Sequence, residues 1–284
     1  MTDRLRGILS ILPLLVIALV SGAGIGARPA LAEGLSSLSR GQSRGADESW
    51  IEAQIRVEER MEREEPGAGR DRALSARGAA VPLQRLDLSG LPEWEAGAAA
   101  AAFEEVRGKR FLYLPENPGF LRRISWLYPD DGCFARAAYA GKRVAARGLA
   151  RPHKIFVFGD LSVRTRNAPG GRAYWWYHVA SLVSVGGEPV VLDPAVEAAA
   201  ALTFKEWVRR LTREPGQVLF ARCGPYSYAH YSVCRDAPPS TEADAPSDEG
   251  GFLRLEWDRM IELGRDPSRV LGDEPPWNSG LSSS

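Results

Sequence analysis

The sequence predicts an α+β fold in which a helix start is held against an antiparallel sheet. Three observations predict it. Asp130-Asp131-Gly132-Cys133 opens a helical run that lasts to about Gly148. Three β-rich runs follow it, at Ile155–Phe158, Tyr174–Val185 and Pro189–Leu192. Gly186-Gly187 separates the last two, a hairpin signal that makes them antiparallel neighbours.

The elements can be justified in chain order. Arg4 and Arg6 precede the apolar run Ile8–Val20, and Ala30-Leu31-Ala32 precedes Glu33. A basic start, a short apolar core and an Ala-x-Ala end make residues 1–32 a signal peptide cleaved near Ala32. An uncleaved anchor is the alternative, weakened by Pro13 and the following glycines and serines. The mature protein is therefore expected to be secreted or periplasmic, without a stable membrane span.

Residues 33–80 begin Ser/Gly-rich, then predict a helix over Ser49–Glu65 with a Ser cap and apolar Ile51, Ile55, Val57 and Met61. The stretch from Pro66 reads as a linker. This region cannot hold a core alone; it is a tether, a pro-segment, or a helix that docks elsewhere. Residues 81–237 carry the main domain. Its expected elements are a helix over Leu91–Val106, a short strand at Phe111–Leu114, and the helix near Asp131. The sheet runs follow, with Leu161–Arg164 extending the first, and then a helix over Phe204–Thr212. Residues 238–284 complete the chain: Ala237–Gly251 reads as a disordered linker, Phe252–Leu263 as a last helix, and the tail frays.

The chain has 284 residues, with 36 basic and 36 acidic side chains, so no net charge favours nucleic acid as a partner. No metal-ligand spacing and no phosphate-binding loop occur, so no cofactor is expected; the protein is expected to be a monomer. Three cysteines in an exported chain leave one over. Cys223 and Cys234 lie close enough in sequence to close a disulfide loop, which leaves Cys133 free.

Cys133 then falls in the first turn of its helix, with Asp130 or Asp131 as the cap. Unpaired N–H groups and the helix dipole there favour a thiolate and could hold an oxyanion. A buried inert cysteine is the other reading. His178 sits in a strand, where a lone histidine is more often a satisfied core residue than a catalyst. The hairpin changes that balance. A two- or four-residue Gly-Gly turn makes paired positions sum to an odd number, so His178 and Asp193 share a face, opposite or one diagonal step apart. Asp193 can then orient the imidazole, as the third member of a triad does.

Cysteine on a helix start, histidine on a strand and aspartate after the next strand is the layout of papain-like and transglutaminase-like thiol enzymes. More specifically, DDGCFARA, KIFVFG, WWYHVA and VVLDP, in this order and spacing, resemble the bacterial protein-glutaminase (protein-glutamine deamidase) family over roughly Leu83 to Cys234. The resemblance implies a papain/transglutaminase-like core and a Cys133–His178–Asp193 triad. It also implies hydrolysis of glutamine side-chain amides in proteins or peptides through a thioester. A transglutaminase or cysteine peptidase would use the same three groups, and an idle envelope-binding domain is the non-enzymatic alternative. Trp126, Trp175 and Trp176 are weaker candidates to wall the substrate site.

Overall fold

The computed structural model of the protein describes residues 41–64, 72–108, 112–114, 117–122 and 124–271. The expected signal peptide, residues 1–32, and the C-terminal tail lie outside the described residues, as do Glu65 to Asp71. No helix among the described residues is long and apolar enough to cross a membrane.

Helix α1 (Trp50–Glu64) begins at a reciprocal cap. The Ser49 hydroxyl accepts from the Glu52 N–H at 3.3 Å, and the Glu52 carboxylate accepts from the Ser49 N–H at 2.8 Å. Its inward stripe is Ala53, Val57 and Met61, while Ile51 and Ile55 are half exposed. Of the four expected apolar positions, Val57 and Met61 are buried and the two isoleucines are not: spacing of four from Ala53 sets the buried row. Short strands β1 (Val81–Pro82) and β2 (Glu93–Trp94) precede α2 (Ala96–Gly108). Helix α2 starts later than Leu91 because Glu93–Trp94 pairs, in parallel, with the end of the long central strand. A small antiparallel pair, β3 (Leu112–Leu114) and β4 (Asn117–Arg122), stands apart from the main sheet.

Helix α3 (Cys133–Ala145) is followed by β5 (His153–Arg164), β6 (Arg172–Val185) and β7 (Glu188–Leu192). Then come β8 (Leu202–Thr203), α4 (Phe204–Leu211) and β9 (Leu219–Cys223). The main sheet runs β1-β9-β5-β6-β7-β8, with β2 beside the end of β6. All pairs are antiparallel except β2–β6. Gly186 and Gly187 both take positive φ, 61° and 80°, and join Val185 to its partner Glu188 in a two-residue hairpin.

The chain ends in α5 (Ala245–Glu262) and α6 (Pro267–Leu271). Here the linker expected over Ala237–Gly251 is overturned. That stretch forms a short 3-10 turn at Pro239–Glu242 and the first two turns of α5. Two of its acids, Asp248 and Glu249, are buried. Asp248 accepts from the Tyr228 hydroxyl at 2.8 Å, and Glu249 accepts from the Ser125 N–H. Two helical turns further on, Glu256 accepts from the Leu127 N–H at 2.7 Å. An acidic composition reads as disorder in sequence, but buried backbone donors give these carboxylates partners.

Two apolar layers sandwich the sheet. One joins α1, α2, α3 and α5 through Val57, Phe103, Phe134, Phe156, Tyr177 and Phe252. The other packs α4 on the opposite face through Trp207, Trp175, Val157, Leu182 and Phe220. Both terminal segments therefore share the core of the central region rather than hanging from it.

Candidate active site

Strand β6 changes phase in its middle. Trp175 lies in the α4-side layer, Trp176 and Tyr177 both lie in the α3-side layer, and Ala180 returns to the first. The partner strand β5 has a register irregularity between Phe158 and Leu161, where Gly159 has φ 153° and packs on Val218. As a result, the His178 ring stacks on Trp175, with centroids 4.5 Å apart and planes 13° from parallel. Strand β7 pairs with β6 only from Ser181↔Leu192 onward. Asp193 follows directly, one diagonal step from His178.

His178 Nε2 and Asp193 Oδ2 are 2.7 Å apart, and both side chains are buried. The same carboxylate oxygen accepts from the Trp207 indole N–H at 2.8 Å. Burial works to raise the Asp193 pKa, but the His178 charge and hydrogen bond, the Trp207 bond and Arg136 outweigh it and hold the carboxyl below its ordinary value. An ionised carboxylate can only accept, so Nε2 donates the hydrogen of that bond and leaves Nδ1 as the ring's other nitrogen.

That Nδ1 is occupied. The Gln42 side-chain nitrogen lies 2.8 Å from it, and Gln42 is fully buried. Gln42 belongs to a strap, residues 41–44, that pairs with β6 in the line where β7 has ended. Trp176 N–H donates to the Gln42 carbonyl at 3.1 Å, Arg44 N–H donates to the Tyr174 carbonyl at 3.0 Å, and Ser43 bridges Trp175. The strap is also tied to the turn before α3. Gly41 N–H donates to Asp131 Oδ2 at 2.9 Å, the Ser43 hydroxyl donates to the Asp130 carbonyl, and the Trp176 indole N–H donates to the Gly41 carbonyl.

Cys133 is the first residue of α3 and is buried. The expected acidic cap is absent. Gly132 is the N-cap, at φ 87°, with no side-chain cap bond. Asp131 instead accepts from the Gly132 N–H at 2.7 Å and from Gly41, while Asp130 pairs with Arg259. The expected acidic thiol is also overturned with the strap in place. Burial pushes the Cys133 thiol up to about 12; Arg136 and hydrogen bonds from the Val179 backbone and the Tyr177 hydroxyl oppose this, and Asp131 reinforces it. Tyr177 and Val179 flank His178, which locates the sulfur beside that stretch of β6. Cys133 is the free cysteine, and Cys223–Cys234 is a disulfide.

The tryptophans divide. Trp175 holds the imidazole plane and donates to the Pro129 carbonyl at 2.7 Å. Trp176 holds the strap. Trp126 is set in the core, its indole N–H donating to the Val106 carbonyl at 2.9 Å. Sequence reasoning missed Gln42, Trp207 and Arg136. Gln42 sits in a Ser/Gly-rich stretch with no local signal, and the other two look like ordinary members of amphipathic helices.

Fold and site together define an α+β protein with a buried cysteine at a helix start and a His–Asp pair at the edge of a hairpin. Residues 99–211 match the family model described as Glutaminase. The chain is similar to a crystal structure of protein-glutaminase at 20% identity, covering 48% of this chain and 75% of that one, with TM-score 0.37. It is similar to a pro-protein-glutaminase at 20% identity, covering 62% and 63%, with TM-score 0.39. It is also similar to the NMR structure of protein-glutaminase from Chryseobacterium proteolyticum at 22% identity, covering 49% and 80%, with TM-score 0.37. No curated protein matches the chain.

Proposed function

We propose that the chain is an exported thiol amidohydrolase that converts glutamine side chains of proteins or peptides to glutamate, with release of ammonia. The observation that carries this reading is the Gln42 carboxamide, whose nitrogen rests on His178 Nδ1 while Asp193 holds Nε2. A glutamine amide is thus accommodated, buried, with its nitrogen on the atom that would protonate a leaving ammonia.

In this reading the core is papain/transglutaminase-like and Cys133, His178 and Asp193 form the triad. Nδ1 takes the thiol proton as sulfur attacks the amide carbon. Backbone N–H groups of the first turn of α3 would steady the oxyanion. The imidazolium, held by Asp193, gives its proton to the departing nitrogen. Water then enters, loses a proton to the same ring, and cleaves the thioester. Residues 33–80, whose strap and helix α1 cover this stretch of β6, act as a pro-segment. The Cys223–Cys234 disulfide suits an oxidising destination.

The test is mass spectrometry and ammonia assay on glutamine-containing proteins, after limited proteolysis of the N-terminal segment. A gain of about one dalton per glutamine, lost in Cys133→Ala, is expected for hydrolysis of an amide through the thiol. Cross-linked products without ammonia-coupled glutamate, or cleaved main chains, would replace this reading with amine transfer or proteolysis.

A further inference from the structure

The residue seated on the imidazole belongs to this same chain, and it is a glutamine. The protein has four glutamines, at positions 42, 54, 84 and 217. Of these, Gln42 has its carboxamide nitrogen 2.8 Å from His178 Nδ1. Its neighbours on both sides, Gly41 and Ser43, are hydrogen-bonded to Asp131 and Asp130, the two residues that lead through Gly132 into Cys133. Its own carbonyl is held by the Trp176 N–H. The strap thus ties both neighbours of Gln42 to the turn that precedes Cys133, and Gln42 itself to the strand that carries His178.

The other end of the side chain is unusual. Gln42 Oε1 is buried and has no hydrogen-bond partner. An unpartnered buried carbonyl oxygen is costly in a resting structure. Turning the amide over would place this oxygen on Nδ1, which is itself an acceptor whenever the ring carries its one hydrogen on Nε2. The orphan oxygen and the engaged nitrogen are what an amide needs just before attack: a leaving nitrogen on its acid, and an oxygen still short of the donors it will need as an oxyanion.

We propose that Gln42 is a substrate of its own chain, and that the protein deamidates it in place to glutamate. The inference rests on the amidohydrolase reading above. The atoms balance without a redox step. The Cys133 sulfur bonds to the Gln42 side-chain carbonyl carbon, the thiol proton passes through His178 Nδ1 to the nitrogen, and the C–N bond breaks to release ammonia. Water then adds to the thioester, its proton returns through the ring to sulfur, and residue 42 is left as a carboxylic acid that ionises. Attack from within the chain needs no encounter, so this event precedes any turnover of an external protein.

The experiment is peptide mapping of the full-length protein as purified and after incubation, beside Cys133→Ala. Expected is glutamate at position 42 in the wild type and glutamine in the variant, with positions 54, 84 and 217 unchanged in both. Hydroxylamine added to the wild type should capture the thioester as a hydroxamate at position 42, about 16 daltons heavier than glutamine, a readout that needs no variant to fold. Glutamate at 42 in both proteins would overturn the inference, since the thiol would not be responsible. Glutamine at 42 in a wild type that releases ammonia from an added glutamine peptide, once its N-terminal segment is nicked, would overturn it while leaving the proposed function standing. Neither conversion nor ammonia would overturn both.

Discussion

Gly132 decides how Cys133 is presented. Its φ of 87° is a left-handed conformation, and a Cβ there would lie 2.8 Å from the Phe252 ring. Gly132→Ala is expected to cost roughly 2–4 kcal/mol from backbone strain and overpacking together, read as a lower Tm. Cys133 itself is held neutral. With its pKa pushed from 9.0 to about 12, the protonated thiol contributes stability that is present below pH 9.0 and lost as pH rises toward 12. Its alkylation by iodoacetamide should be slow at pH 8 in the intact chain and rise once the strap is displaced; equal rates would show that the strap does not bury the sulfur. Asp193 runs the other way. Its folded pKa is depressed, so its contribution is present above the ordinary value of 3.8 and lost as pH falls through the lower folded value. Asp193→Asn should flatten the acid limb of the unfolding profile and lower kcat by about 10²–10⁴-fold, because the ring loses its orienting acceptor.

Strap and helix α1 form the element that covers the site. Val57 is fully buried and touches the strap, its methyls lying against Gly41. Val57→Asp places a charge in an apolar layer without a partner. The expected outcome is undocking of residues 41–64, seen as faster proteolysis there and as a gain of ammonia release from added peptides. Unchanged proteolysis would mean that the strap is held by its β6 pairing alone. Gln42→Glu makes a related test. It replaces the amide that faces Nδ1 with a carboxylate, so protection of the strap against hydrogen exchange should fall relative to the chain that keeps glutamine at position 42. Helix α5 acts from the other side: Glu249 and Glu256 satisfy the N–H groups of Ser125 and Leu127 in the loop that leads to Cys133. Glu249, read in sequence as part of a disordered linker, is a structural acceptor.

At the scale of the whole molecule, two apolar layers share one sheet, and the N- and C-terminal segments belong to one of them. The Cys223–Cys234 disulfide ties β9 to the loop against which residues 74–77 dock, through Cys234 N–H to the Leu74 carbonyl and Ala76 N–H to the Ser232 carbonyl. Replacing both cysteines by alanine is expected to cost about 2–3 kcal/mol, the loop entropy of a short closure, measured by denaturant unfolding. Loosening of the Leu74–Arg77 segment should accompany it in hydrogen exchange. The family match over residues 99–211 covers the part of the chain that carries Cys133, His178, Asp193 and Trp207; it leaves out the strap, α1, β9 and α5, which complete the enclosure.

The sequence by itself determined what depends on near neighbours and on parity. A two-residue Gly-Gly turn sets an odd register sum, so His178 and Asp193 had to share a face. A count of three cysteines with two close together left Cys133 as the free thiol. Helix and strand periods located α1, α3, α4 and the β5–β7 runs to within a few residues, but not β1, β2, β4, β8, β9 or the first two turns of α5. Only the tertiary structure decided the thiol's protonation, the partners of Asp130 and Asp131, and the glutamine on the imidazole. The reason is distance along the chain. Gly41 meets Asp131 across 90 residues and Gln42 meets His178 across 136, and the burial that raises the Cys133 pKa is assembled from several separate elements. Periodicity and spacing carry no information on contacts that form only when the whole core closes.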